Sequence, residues 1–332
     1  MKRASFVTFS SSSKHYSSHY GIRSISLPTR SHPSTAKIEE ELNKLKSWDW
    51  EASSSPTPSS KVETISYALS GLADLYKCVE DLLKLPLTQQ ALLGLHHQNE
   101  KWVDDELLDC PVRFLDILGQ TRDAIMSMKG GVRELQSALR RRKVGDLGME
   151  SHISSYWSLR RKMRKECTKS LLLLKQIDES FGAFTPLDLD HHLSSVVRVL
   201  REASLITTSI FQSLVVFLSP PIFKSRHNNS SSYSSKWAFV SRVMQKGLLV
   251  CNNQQENINE LEKVDLALSR MVMDNNNNNN NPSKDLEAEK IQAAHKELEA
   301  VVVVIEGLEN GLDCLFKHLI NTRVSFLNIL SP

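Results

Sequence analysis

One long apolar stripe near the C-terminus limits what this chain can fold into. Between Leu286 and Leu330 apolar residues return at alternating steps of three and four, so they lie along one side of a single helix. These residues are Leu298, Val301, Ile305, Leu308, Leu312, Leu315 and Leu319. A single amphipathic helix gains too little from its own propensity to stay folded in water, so other helices must cover its apolar stripe. The sequence therefore predicts a helical bundle.

Further stripes of the same spacing predict the helices that cover it. The predicted helices are Ala36–Trp48, Ser60–Leu85, Leu87–Leu95, Pro111–Leu139, Ile153–Ser180, Pro186–Leu218, Lys236–Val250, Glu256–Met273 and Leu286–Leu330. A turn at Gly145 and Gly148 should make its two flanking helices antiparallel, and Gly130 with Gly131 favours a kink in the earlier one. Only 12 Gly and 11 Pro occur in 332 residues, which argues against a turn-rich all-β fold. The predicted class is all-α, an elongated bundle of long, coiled-coil-like helices.

Composition indicates where the bundle domain begins in the sequence and which segments interrupt it. Residues 1–35 contain eleven serines and no acidic residue, which predicts a disordered basic tail and has an organellar transit peptide as its alternative. Residues 36–332 are the predicted bundle domain, with loops near 220–235 and 274–284. The run Asn275–Asn281 is interpreted as a disordered connector, and Ser53–Ser59 as a linker.

Residues typical of chemistry are sparse. The five cysteines lie more than thirty residues apart without a CxxC pair, which favours reduced thiols in the cytosol or nucleus. His191 and His192, beside Asp188 and Asp190, have metal-ligating side chains, but consecutive helical residues point about 100° apart. No nucleophile, phosphate-loop or dinucleotide motif is present. We expect no catalytic residue, no metal and no cofactor.

A basic cluster is the main candidate site. Between Lys129 and Lys169 there are twelve basic and four acidic residues, a local excess of +8 in a chain of +3. If the two helices here pair antiparallel, the cluster forms one basic end suited to anionic lipid. The candidate residues are Arg140, Arg141, Arg142, Lys143, Arg160, Arg161, Lys162, Arg164 and Lys165.

Two other interpretations of this cluster stay open. A solvated helical face is favoured, because no groove-reading motif or stacked aromatic set accompanies the charge, and nucleic acid is not expected for the same reason. Arg160–Lys165 also has the composition of a nuclear-import signal, which is a weak motif.

One uncharged segment resembles a membrane span in composition. Ala203–Ser219 holds seventeen residues without a charge, but it is shorter than the roughly twenty apolar residues that a span needs and contains Thr, Ser and Gln. We interpret it as a buried bundle helix.

Short motifs along nearly the whole chain from Ser26 onward resemble the plant-specific BYPASS-related family. The motifs are Leu27-Pro28, His32-Pro33, Glu39-Glu40, Leu75-Tyr76, Leu85-Pro86, Gln89–Leu92, Trp102-Val103, Leu139–Arg142, the basic residues around Arg161, Leu319-Ile320, Arg323–Ser325 and Leu327–Leu330. The chain departs from the pattern at the asparagine run and at Val301–Val304, where more polar residues are usual. The valine run predicts a more apolar and more buried final helix.

The resemblance implies a role in root and shoot development and carries over no catalytic residue. We therefore expect a non-catalytic regulatory or scaffold protein that binds unknown protein partners through helical contacts. The alternatives are a peripheral membrane protein that uses the basic end, and a nuclear factor. The expected location is cytoplasmic, with the membrane periphery, nucleus and plastid as alternatives.

Overall fold

The bundle is seen in a computed structural model that describes residues 33–54, 61–141, 149–180, 191–219, 258–277 and 284–331. Within these residues 97% are helical and none lies in a strand, so the all-α prediction is confirmed. The helices are α1 (Pro33–Ser54), α2 (Lys61–Leu83), α3 (Pro86–Gln98), α4 (Glu100–Val103), a π-helical turn (Asp104–Leu108), α5 (Asp109–Arg141), α6 (Met149–Ser180), α7 (His191–Leu218), α8 (Glu260–Asn277) and α9 (Lys284–Leu330).

Helix α9 lies at the centre of the bundle, and each residue of its predicted stripe is at most 2% exposed. It runs parallel to α2, because Gly311 lies against Leu69 while, further along both helices, Nδ1 of His318 lies 2.7 Å from Oε1 of Glu80. Helices α3, α5 and α8 also pack against it. The stripe therefore forms the core that the sequence predicts.

Helix α7 packs against α2. The Tyr76 hydroxyl lies 3.0 Å from Oγ1 of Thr207, and Phe114 of α5 meets Phe211 edge to face with ring centroids 5.8 Å apart. By length and composition α7 is apolar enough to cross a membrane. Ala203, Ile210 and most other apolar residues of this segment are buried, however, which agrees with a buried bundle helix.

The start of α5 differs from the prediction. Pro111 does not open the helix, since helical backbone already runs from Glu100 through α4 and the π-helical turn. The N–H of Asp109 bonds to the carbonyl of Asp104, five residues back. A proline ring crowds the carbonyl four residues earlier, and a wider turn just before Pro111 relieves that crowding.

Two boundaries next to low-complexity segments also differ. Helix α1 begins at Pro33, a residue favoured in the first turn, so Pro33–Thr35 belong to the bundle and not to the tail. Thr35 is buried. Helix α8 continues to Asn277, so the first three residues of the asparagine run are helical. The other residues of the tail, the Gly145–Gly148 turn and the predicted helix 236–250 lie outside the described residues.

The valine run of α9 is less buried than predicted. Val301 is buried, but Val303 is 71% exposed. Four consecutive helical residues cover more than a full turn, so one of them must point away from the core.

Candidate functional site

The predicted basic end depends on how α5 and α6 pair. Gly131 of α5 lies against Leu159 of α6, and Oε1 of Glu134 lies 3.4 Å from Nδ1 of His152. Residue numbers rise along α5 as they fall along α6, so the antiparallel prediction is confirmed. A Cβ on Gly131 would overlap Cδ1 of Leu159, so the missing side chain makes room for this leucine.

The same register separates the two halves of the predicted basic end. Arg140 lies nine residues from the Gly131–Leu159 contact toward the turn, whereas Arg161 lies two residues away in the opposite direction. At 1.5 Å per residue the two are about 16 Å apart along the helix axes, and Arg140 and Lys165 are about 22 Å apart. The single basic end is therefore wrong for these residues. Arg142 and Lys143 lie outside the described residues.

Arg160 is not on the surface at all. It is 1% exposed, and its Nη2 and Nε lie 2.7 Å and 3.1 Å from the two carboxylate oxygens of Asp265 on α8. Its Nη1 donates to the carbonyl of Leu218 at 3.1 Å. The Tyr156 hydroxyl donates to the same carboxylate at 2.7 Å, and burial together with the Asp265 charge raises the Tyr156 pKa. These contacts join α6, the end of α7 and α8.

A sequence signal for this buried ion pair was present. Arg160 occupies a core position in the stripe Ile153, Tyr156, Arg160, Met163 and Cys167, at steps of three and four. Asp265 likewise lies beside Val264 and four residues after Leu261. A charged residue at a core position needs a partner, because an unpaired buried charge is strongly destabilising.

The basic residues of α5 are paired with acidic residues of α9. Lys129 lies 2.7 Å from Glu309, Arg133 lies 2.8 Å from Glu306, and Arg122 lies 2.7 Å from Asp313. Near the end of α5, Arg140 lies 3.5 Å from Glu299 and donates from Nε to Nε2 of His295 at 2.9 Å. Lys129, Arg133 and Arg140 belong to the cluster, so these pairs offset three of its eight excess charges. The acidic residues that do so come from a distant part of the sequence.

What remains of the cluster is a smaller set, the outward face of α6. Arg161, Lys162 and Lys165 are exposed there, with Arg161 donating to Oγ of Ser158 at 2.9 Å. Arg164 is half-buried, and Arg141 lies exposed at the end of α5. This face offers three neighbouring positive charges to an anion.

Sequence reasoning missed a second surface, at the C-terminal end of α9. Ile320, Val324 and Leu327 are 38%, 47% and 39% exposed, although the alternate face of the same helix is core. Their spacing of four and three was visible in the sequence, but it matches a buried stripe equally well. Only the packing shows that this stripe points outward.

The described part of the chain contains no cluster of metal-ligating side chains. Three or more His, Cys, Asp or Glu side chains do not converge anywhere in it. Nε2 of His192 lies 3.3 Å from Oγ1 of Thr88, which ties α7 to α3.

The fold and these surfaces define a helical bundle protein with a buried ion pair between two of its helices. A family model described as Protein BPS1 matches residues 68–329, from α2 to the end of α9. The chain belongs to this BPS1 family, which confirms the resemblance to BYPASS-related plant proteins and supports a role in plant development. A search of curated proteins gave no match. A search of solved structures gave none either.

Proposed function

We propose that this chain is a non-catalytic regulatory or scaffold protein of root and shoot development that acts in the cytoplasm through helical protein contacts. The observation that carries the proposal is the exposed apolar surface of α9 formed by Ile320, Val324 and Leu327. Residues spaced i, i+4 and i+7 are the usual anchors when two helices pack side by side.

This surface continues a helical face that is charged further upstream. At about 100° per residue, Ile320, Val324 and Leu327 point in the same direction as Glu306 and Asp313. Both acidic residues lie within ion-pair distance of α5, at Arg133 and Arg122 respectively. The face thus changes from intramolecular ion pairs to exposed apolar side chains, which supports a role in binding another helix.

The charges around the apolar surface indicate the chemistry of the partner. Lys317 and Arg323 lie about 60° to either side of Ile320 in helical projection, one on each flank. A partner that fits is an amphipathic helix whose apolar stripe is bordered by acidic residues, since opposite charges at the rim favour correct docking.

The test compares two triple variants of the full chain, expressed with an affinity tag in plant tissue. The first is Ile320→Ser, Val324→Ser, Leu327→Ser; the matched control is Tyr67→Ser, Leu172→Ser, Leu205→Ser, which also removes three exposed apolar side chains. A partner recovered with the parent is then purified and titrated calorimetrically. We expect the α9 variant to bind at least tenfold more weakly and the control to bind like the parent.

Equal binding by the α9 variant and the parent would overturn the proposed surface. Self-association of the parent that the α9 variant abolishes would replace the partner helix by a second copy. Rescue of root growth in a mutant plant by the control, but not by the α9 variant, supports the developmental part of the proposal.

A second candidate function is binding to anionic lipid through the outward face of α6. Arg161, Lys162 and Lys165 support it, because they are exposed and neighbouring. Each cation near an anionic surface contributes about 1 kcal/mol, so three residues give only weak, salt-sensitive binding. This is far less than the nine residues of the predicted basic end would supply.

Co-sedimentation with vesicles tests this candidate. The variant Arg161→Gln, Lys162→Gln, Lys165→Gln is compared with Lys44→Gln, Lys84→Gln, Lys175→Gln, three lysines that pair with acidic residues three or four positions away. Both variants lose three charges. Binding to phosphatidylserine vesicles that is lost only in the first variant and in high salt supports the candidate, and no preference over neutral vesicles eliminates it.

A further inference from the structure

Helix α9 packs against α5, and the exposed apolar surface of α9 is formed by Ile320, Val324 and Leu327. We propose that α5 supplies the second wall of this binding surface, an inference that rests on the proposed function. The partner helix then lies in a groove between α9 and α5, and one of its carboxylates binds Arg323.

The ion pairs between α5 and α9 show which residues of the two helices face each other. The helices run antiparallel, because later residues of α5 pair with earlier residues of α9. Arg122 lies 2.7 Å from Asp313, Leu115 comes seven residues before Arg122, and Ile320 comes seven residues after Asp313. Seven residues span about 10 Å and nearly two full turns. Leu115 and Ile320 therefore lie at the same level and face the seam in which the ion pair lies.

Two features of α5 turn this seam into a groove. Leu115 packs against the core but is only partly buried, so part of its surface stays accessible. Gly119 lies about 60° from Arg122 in helical projection, on the side away from the buried Leu118. A Cβ at Gly119 would meet nothing within 4 Å. The missing side chain therefore leaves room for the backbone of another helix to come close.

The length of the groove suits a helix of several turns. One end is closed by the ion pair of Arg122 and Asp313. Leu327 comes fourteen residues after Asp313, about 21 Å along the axis, which is roughly four helical turns. Leu108, about level with Leu327, is partly buried in the same way as Leu115. The two walls are thus apolar along this whole length.

The cation at the inner edge of the groove indicates a carboxylate on the partner. Arg323 lies about 60° from Ile320, toward the buried Leu319. It is half-buried, and no described residue forms an ion pair with it or a hydrogen bond with its buried Nε. Arg122 and Arg133, by contrast, pair with acidic residues of α9. A guanidinium binds a carboxylate through two parallel hydrogen bonds, so an acidic residue of the partner satisfies Arg323.

Binding of designed peptides to the full chain tests the role of Arg323. The probe is a fluorescent helical peptide of about 20 residues with one leucine stripe bordered by glutamates, and a second peptide has lysines in place of the glutamates. We expect the parent to bind the glutamate peptide about tenfold more tightly in fluorescence anisotropy, because opposite charges meet at the rim. Arg323→Gln should remove most of this preference.

Gly119→Leu tests the second wall. The leucine extends into the groove, so binding of the glutamate peptide should weaken about tenfold, while the melting temperature stays equal or rises through helix propensity. The matched control is Gly130→Leu, the same change on the same helix at a position where a Cβ also meets nothing within 4 Å. Gly130 lies about 16 Å further along α5, away from the groove, so this control should bind like the parent.

The outcomes separate the groove from the proposed function. Loss of the glutamate peptide in the α9 variant but not in Gly119→Leu would place the partner on α9 alone, so the groove would be wrong and the proposed function would stand. Retention by both variants would count against both. The groove is also overturned if neither peptide binds the parent, if both bind it equally, or if Gly130→Leu weakens binding as much as Gly119→Leu. A parent dimer that Gly119→Leu dissociates would replace the partner helix by a second copy of this chain.

Discussion

Nη2 of Arg160 lies 2.7 Å from Oδ2 of Asp265 across the interface between α6 and α8, and both side chains are at most 2% exposed. Removing one member leaves the other as an uncompensated charge in the interior, which costs far more than losing a surface pair. We expect Asp265→Ala to lower the free energy of unfolding by about 3–5 kcal/mol in urea denaturation.

Two comparisons test whether the uncompensated charge of Arg160 causes this loss of stability. Glu306→Ala removes a part-exposed carboxylate that pairs with Arg133 and, at 3.5 Å, with Lys129, which keeps Glu309 as its closer partner. This change should cost about 1 kcal/mol or less. The double variant Arg160→Met, Asp265→Leu removes both charges and should be more stable than Asp265→Ala alone. An Asp265→Ala protein as stable as Glu306→Ala would show that Arg160 reaches solvent.

The central stripe of α9 gives a second prediction. Leu308 and Leu312 are fully buried, so Leu308→Ala or Leu312→Ala should each lower the free energy of unfolding by about 2–5 kcal/mol. Leu312→Asp should prevent folding, because a carboxylate there has no partner. Val303→Ala, at a mostly exposed position of the same helix, should change stability by about 0.5 kcal/mol or less. A large effect at Val303 alone would contradict this orientation of α9.

Adjacent glycines of α5 should respond differently to alanine. A Cβ on Gly130 meets nothing within 4 Å, so Gly130→Ala should raise the free energy of unfolding by about 1 kcal/mol through helix propensity. An alanine at position 131 would push against Leu159, so Gly131→Ala should raise the free energy of unfolding by less, or lower it. Thermal unfolding of the two variants measures the difference. Identical melting temperatures would mean that α5 and α6 are not this close.

Cysteine reactivity should distinguish the exposed thiol from the buried ones. Cys314 is exposed, whereas Cys110 and Cys167 are buried, and burial raises the pKa of each of these thiols to about 12. At pH 8 roughly one in ten thousand of those thiols is ionised, and the thiolate is the reactive form. In a Cys251→Ser background we expect rapid alkylation of Cys314 only, measured by peptide mass spectrometry. Fast labelling of Cys167 in the folded protein would contradict its burial.

Much of the fold was predictable because the spacing of apolar residues along the sequence indicates which face of each helix is buried. The steps of three and four identify the core face of α9, and they also identify Ile153, Tyr156 and Met163 on α6 without any knowledge of the partners. A local signal that was overlooked is the start of α8. Asn259 accepts from the N–H of Glu262 while Glu262 accepts from the N–H of Asn259, a reciprocal cap that the spacing Asn-x-x-Glu indicates.

The basic cluster shows what the tertiary structure alone decided. Counting charges along the sequence could not show that Lys129 and Arg133 meet acidic residues of α9 more than 170 positions away. Nor could it show that Asp265 is the partner of Arg160, or that the helix register keeps Arg140 apart from Arg161. Periodicity determines which side of each helix is apolar. Which charges are neutralised, which are buried and which apolar stripe stays exposed depend on contacts between distant segments, because electrostatic and packing energies act through space and not along the chain.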